Sequence, residues 1–202
     1  VLTYTREVEI VGRPDGRFGA LATNRDRAGL QVIESDGSSP SGIVRPTTRE
    51  TIHQVLWDGW TWMMPVTTYG TSGTCSSRAQ VARGDALTSL FAVGASTTGS
   101  AETSSIAARG DEAVIVLTMP PPPGTTDPAS LRILRAGIPA SATGALTLRA
   151  PATPLGDVTT AVAGMPVATV FTGDEQIVAV WSDRRWGQTE IYSMVVDVPD
   201  CD

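Results

Sequence analysis

Lysine is absent from this chain, and histidine occurs once, as His53. All 15 cationic side chains are arginines, set against 21 acidic ones, for a net charge of −6. They are scattered apart from Arg184–Arg185 and the Arg25/Arg27 pair. Nucleic-acid readers carry a basic patch or stripe, and adhesion to anionic lipid needs clustered cations. No nucleic-acid partner and no anionic membrane surface is expected. Long apolar runs are missing too. The longest, Ala113–Leu117, has the length of a strand and falls far short of the ~20 residues that cross a bilayer as a helix, so no membrane insertion is expected. Cysteine is limited to Cys75 and Cys201, with no Cys-x-x-Cys spacing. This argues against a zinc or thiol-redox site. One disulfide between the two is one reading and two separate thiols the other, since spacing does not decide. A single histidine excludes metal sites built on histidine pairs, and no calcium-loop spacing of aspartates occurs. No metal and no other cofactor is expected.

Helix signals are nearly missing, with no sustained i, i+3, i+4 apolar pattern bounded by caps. Short runs of Val, Ile, Leu, Thr and Ala, bounded by Gly, Pro, Asp and Ser, recur instead. They predict about fifteen strands of five or six residues. These include Glu7–Val11, Phe18–Thr23, Leu30–Glu34, Gly42–Arg45, Ile52–Trp57 and Thr61–Val66. Further on come Ala79–Ala82, Leu87–Val93, Ser105–Ala108, Ala113–Thr118, Leu131–Arg135 and Ala145–Arg149. Val167–Phe171, Gln176–Trp181 and Glu190–Val196 complete the set. Pro14-Asp15-Gly16 has the chemistry of a tight turn, proline pre-setting φ and glycine free to take φ > 0. Asp58-Gly59, Arg83-Gly84-Asp85, Arg109-Gly110-Asp111 and Thr172-Gly173-Asp174 are read the same way. Pro120–Ala129 is expected to be a loop, because its prolines cannot donate to a sheet ladder.

An apolar strand, a Gly/Asp turn and a second apolar strand recur at Glu7–Thr23, Ala79–Val93, Ser105–Thr118 and Val167–Trp181. The first and last agree further, Glu9–Asp26 lying over Ala168–Arg185, and each continues into a third strand. This is an internal repeat, weak in identity and clearer in pattern. Its last copy contains Ile177-Val178-Ala179-Val180-Trp181-Ser182-Asp183-Arg184-Arg185-Trp186-Gly187-Gln188-Thr189-Glu190-Ile191-Tyr192. That segment resembles the blade motif of secreted bacterial β-propeller repeat proteins, related to TolB-type and sialidase-like blades. The resemblance implies an all-β propeller of about four blades, or a part of a larger ring. A β-sandwich or jelly roll is the alternative. Residues 1–202 are read as a single repeat domain. Leu2–Thr5 could complete the last blade by closing the ring. A secreted, cell-surface or periplasmic location is expected, from the resemblance and from the acidic, Ser/Thr/Gly-rich composition.

In the repeat strand, alternation puts Ile177, Ala179 and Trp181 on one face and Val178, Val180 and Ser182 on the other. Asp183, Arg184 and Arg185 are expected to make polar contacts at the blade's outer corner. Ile191 and Tyr192 are expected to pack back on Trp181. Tryptophans at a rim can stack on sugars or anchor a protein, so Trp57, Trp60, Trp62 and Trp186 are the candidate binding residues. Packing between blades is their structural alternative. His53 has no Gly-x-Ser-x-Gly partner motif and reads as an ordinary strand residue. Glu190 and Tyr192 share a strand face and arginines are available, but no sialidase-type arginine set or Asp-box can be matched. The two Arg-Gly-Asp tripeptides fall at repeat turns, where Gly-Asp serves the backbone. Three functions remain: a non-catalytic extracytoplasmic module binding a protein or glycan, part of a propeller glycoside hydrolase, or a structural repeat of a surface protein. An enzyme is the less favoured class.

Overall fold

The computed structural model describes residues 7–24, 27–38, 50–52, 54–59, 62–68, 80–83, 89–92, 103–119, 129–141, 146–156, 161, 165, 167–173 and 175–198. The described chain is all β, with no helix among these residues and 15 strands in four antiparallel sheets. Sheet I holds β1 (Glu7–Gly12), β2 (Phe18–Asn24) and β3 (Arg27–Ile33). Sheet II holds β4 (Glu50–Ile52), β5 (Leu56–Trp57), β6 (Trp62–Thr68), β7 (Gln80–Arg83) and β8 (Ser89–Ala92). Sheet III holds β9 (Thr103–Arg109), β10 (Glu112–Met119), β11 (Ser130–Gly137) and β12 (Thr147–Pro154). Sheet IV holds β13 (Val167–Phe171), β14 (Gln176–Asp183) and β15 (Glu190–Asp197). Within sheets I, III and IV every strand pairs with its chain neighbour. In sheet II both β4 and β5 pair with β6 and act as one interrupted first strand.

Most expected strands recur with shifts at their ends, but Ile52–Trp57 is not one strand: its ends fall in β4 and β5, and Gln54 and Val55 between them belong to neither. Gly42–Arg45, Leu2–Thr5 and most of the Pro120–Ala129 loop lie outside the described residues. Two prolines sit inside strands without breaking them. Pro65 lies opposite Val81 of β7, at the point where the other edge of β6 passes from pairing with β5 to pairing with β4. Pro151 lies in β12, an edge strand bonded only to β11, and there the register shifts. This explains why β12 runs on to Pro154, past the predicted end at Arg149. The repeat is also out of phase in one place. Glu7–Thr23, Ser105–Thr118 and Val167–Trp181 are the first two strands of their sheets, whereas Ala79–Val93 holds the last two strands of sheet II.

Neighbouring sheets pack in chain order. Sheet I meets sheet II through β1 with β5 and through its last strand β3 with β4, sheet II meets sheet III through β5 and β6 with β9, and sheet III meets sheet IV through β9 and β10 with β13. The last strands β8, β12 and β15 make no comparable contact with another sheet's strands among the described residues. The clearest record is β10, all eight of whose residues are buried. Ala113, Ile115, Leu117 and Met119 enter one core with Met63, Ile106, Leu134 and Ile138. Val114 and Val116 enter a second core with Leu131, Leu155, Ile177, Ala179 and Trp181. The two-residue period of a strand sends alternate side chains to opposite faces, so sheet III is covered by II on one side and IV on the other. Burying each Ile or Leu contributes about 1.5–3 kcal/mol.

Candidate functional site

The first strands are linked by side chains that accept from the next sheet's backbone. Glu9 on β1 accepts from Val55 N–H, just before β5, at 2.8 Å. Gln54 Oε1 accepts from Ile106 N–H on β9 at 2.8 Å and from the Ser105 hydroxyl at 2.9 Å. Ser105 Oγ in turn accepts from Thr169 N–H on β13 at 2.9 Å. Sheets without mutual ladders thus satisfy N–H groups that would otherwise be buried bare. Burial pushes the Glu9 carboxyl above its ordinary value, and the Val55 N–H draws it part of the way back. Sequence reasoning missed this series. Its partners are 46, 52 and 64 residues apart, and no local signal marks them.

At the outgoing ends of the first strands, arginines clasp aromatic rings of the next sheet. The Arg13 guanidinium lies 3.6 Å from the Trp57 ring centroid and is paired with Asp15 at 3.0 Å. Trp57 meets Trp62 edge-on at 5.2 Å. Arg109 lies 4.8 Å over Phe171 and donates to the Gly173 carbonyl. Its neighbours explain one Arg-Gly-Asp tripeptide. Gly110 takes φ +58° in the turn, and Asp111 accepts from Arg149 at 2.5 Å, which holds its carboxyl below the ordinary value. Arg83 ends β7, and Gly84 and Asp85 of the other tripeptide lie outside the described residues.

Among the described residues, the candidate tryptophans Trp57, Trp62 and Trp186 do not share one exposed patch. Trp62 is wholly buried, its ring pressed against Gly19 of sheet I, and Trp57 is half-buried beneath Arg13. These two serve packing between sheets I and II. Trp186 stands apart, 75% exposed in the turn between β14 and β15. Trp60, His53, Cys75 and Cys201 lie outside the described residues.

The turn that carries Trp186 is rigidly tied. Asp183 is buried and accepts from Arg185 N–H at 2.8 Å, from the Arg185 guanidinium at 2.6 Å and from the Trp181 indole at 3.2 Å. Its hydrogen bond to Asp183 raises the pKa of Arg185, whose guanidinium lies 4.3 Å over the Tyr192 ring. Gly187 takes φ +86° and donates to the Arg184 carbonyl at 2.9 Å. Arg184 donates to Thr189 at 2.9 Å. Gln188 and the Tyr192 hydroxyl donate to Glu190 at 2.7 and 2.8 Å and hold its carboxyl below the ordinary value. Burial, then the carboxylate, raises the Tyr192 phenol. Tyr192 stacks on Trp181 at 6.3 Å as expected. Ile191 does not. Alternation turns it to the opposite, solvent-facing side. The Glu190–Tyr192 pair also lies on the last strand of its sheet, two strands from the first-strand arginines.

A cleft of about 240 Å³ lies between the ends of β12 and β15, lined by Ile133, Arg135, Thr153, Leu155, Asp197 and Val198. Its charges are tied up, Arg135 by Glu112 and Asp197 by Gln176. Among the described residues no group of three or more His, Cys, Asp and Glu is placed to hold a metal ion.

The arrangement defines a class: an all-β protein of successive antiparallel sheets packed in chain order. No protein-family model matches the chain, and no characterised protein matches it in sequence. Among solved structures, the chain is similar to the α-L-arabinanase of Cellvibrio cellulosa, with a TM-score of 0.43 and 10% identity over 94% of this chain and 72% of that one.

Proposed function

We propose that this chain is a β-propeller-type module, displayed outside the cytoplasm, that binds a glycan through the turn between β14 and β15 without catalysing its breakdown. The propeller reading is supported by antiparallel sheets that follow one another along the chain, each packed on the next. The extracytoplasmic reading is supported by the resemblance of residues 177–192 to secreted blade repeats. The observation that carries the binding role is Trp186. An indole 75% exposed on a tied turn is presented at little further entropic cost. Around it stand Arg184, Gln188 and Glu190, planar polar groups held by one another and by Thr189 and Tyr192. A sugar offers an apolar ring face and a rim of hydroxyls, and that combination suits an aromatic plane edged with such groups.

The test is an array of immobilised oligosaccharides, probed with the wild-type chain and with Trp186→Ala. Retention of one glycan class, weakened about tenfold or more by the substitution, a loss of roughly 1.4 kcal/mol or more, is the expected result. Retention unaffected by Trp186→Ala, or no retention at all, would remove the site. Release of sugar from the array would replace this reading with the glycoside hydrolase alternative.

A further inference from the structure

Sheets I and IV each leave one apolar face in solvent. On sheet I it carries Ile10, 66% exposed, and Phe18, 42% exposed, with Ile33 beside Phe18 in register. On sheet IV a row of valines crosses three strands, Val170 opposite Val178 and Val178 opposite Val195. Val170 and Val195 are 57% and 59% exposed. Both faces are open in the same chain.

The repeat says what kind of face each one is. Laying Glu9–Asp26 over Ala168–Arg185 puts Val11 on Val170 and Gly19 on Val178. The pairing registers agree, since Val11 opposes Gly19 and Val170 opposes Val178. Gly19 further opposes the buried Val32, as Val178 opposes Val195. In sheet I this row is covered by the following sheet, with Trp62 against Gly19. The valine row of sheet IV is thus the face that receives a following sheet. Phe18 likewise lies on Ile177, and Ile10 on Thr169. Ile177 and Thr169 are buried, Ile177 in the core shared with sheet III. The open face of sheet I is thus the kind that packs onto a preceding sheet. The two open faces are complementary rather than alike.

We infer that two copies of this chain join head to tail, the valine face of sheet IV in one copy covered by the Ile10/Phe18 face of sheet I in the other. Such a heterologous contact, made twice, closes a ring with rotational symmetry. The inference rests on the sheet order of the proposed fold and not on its glycan.

Light scattering behind size exclusion, over a concentration series of the full chain, reads the outcome. The expected result is passage from 21.1 kDa to twice that mass. Ile10→Glu and Val195→Glu place a charge on one face each, at exposed positions where folding tolerates it. Each alone should weaken self-association about tenfold or more, because an unpaired carboxylate resists burial. An equimolar mixture should regain a dimer, since each variant keeps the face the other lacks. Phe18→Glu and Val170→Glu repeat the experiment on the same faces. A wild-type chain that stays at 21.1 kDa with an intact β spectrum overturns the dimer and leaves the fold standing. Undiminished dimer in a single variant, or no dimer in the mixture, also overturns it. Loss of the cooperative β melt in the wild type would instead remove the sheet order itself.

Discussion

Gly19→Ala is a change of one methyl group that should destabilise the chain. A Cβ built at Gly19 lies 2.8 Å from two ring carbons of Trp62 and 3.2 Å from a third. Carbon pairs favour about 3.5–4.0 Å, so the ring would have to retreat. It is wholly buried and has Trp57 edge-on at 5.2 Å, itself beneath Arg13. Overpacking of this kind costs about 1–3 kcal/mol. Replacing glycine by alanine regains roughly 0.4–1 kcal/mol through the unfolded chain. The balance is a loss of about 1–2 kcal/mol, which lowers the melting temperature by roughly 2–8 °C in a domain of this size. Thermal melts followed by circular dichroism measure it. Gly173→Ala, with nothing within 4 Å of its Cβ, is the control and should move the melt little. In a Trp62→Phe background the smaller ring leaves room, and Gly19→Ala should become neutral or stabilising. Equal cost in both backgrounds, or a raised melting temperature in the wild type, would refute the packing of sheet I on sheet II.

Four further substitutions address side-chain links, three between sheets and one within sheet III. Glu9 has a raised folded pKa, so its contribution to stability is full below its unfolded value of about 4.3 and is lost as pH rises through the folded value. Glu9→Gln keeps an acceptor for Val55, and should flatten the stability profile over that window; a profile as steep as the wild type's would contradict the assignment. Ser105→Ala strands the buried Thr169 N–H and should cost about 1–3 kcal/mol in a denaturant titration, whereas a loss below roughly 0.5 kcal/mol would remove the link. Arg109→Ala removes the clasp on Phe171 and Gly173, and should cost about 0.5–2 kcal/mol, while Asp111→Asn should be less stable than wild type near neutral pH, the difference vanishing as pH falls through the lowered folded pKa of Asp111; a difference that persists in acid would contradict the assignment.

Strand positions were legible because period-two alternation and Gly/Asp turns are local signals. β13 has its predicted bounds, and β10 shows as a continuous apolar run because both its faces are covered. The phase of sheet II was not legible. Its first strand is split into β4 and β5, so the later β7–β8 hairpin looks more like the repeat than the true opening pair does. The polar turn at Asp183 was readable, since aspartate bonding two residues ahead is a local habit. The division of the tryptophans was not. Trp62 and Trp186 have similar polar and aromatic neighbours in sequence, and only the seat of Trp62 against Gly19, 43 residues away, separates packing from display. The acceptor series through Glu9, Gln54 and Ser105 is equally invisible, because each bond joins strands of different sheets.

Amide hydrogen exchange tests most directly whether the sheets stack in chain order as a propeller-type module. The account predicts the slowest exchange in β10, sandwiched between two sheets, with β9 and β11 next and the edge strands β12 and β15 fastest. Exchange in β10 as fast as in β12 would mean that sheet III is not enclosed by its neighbours, and the account would fall.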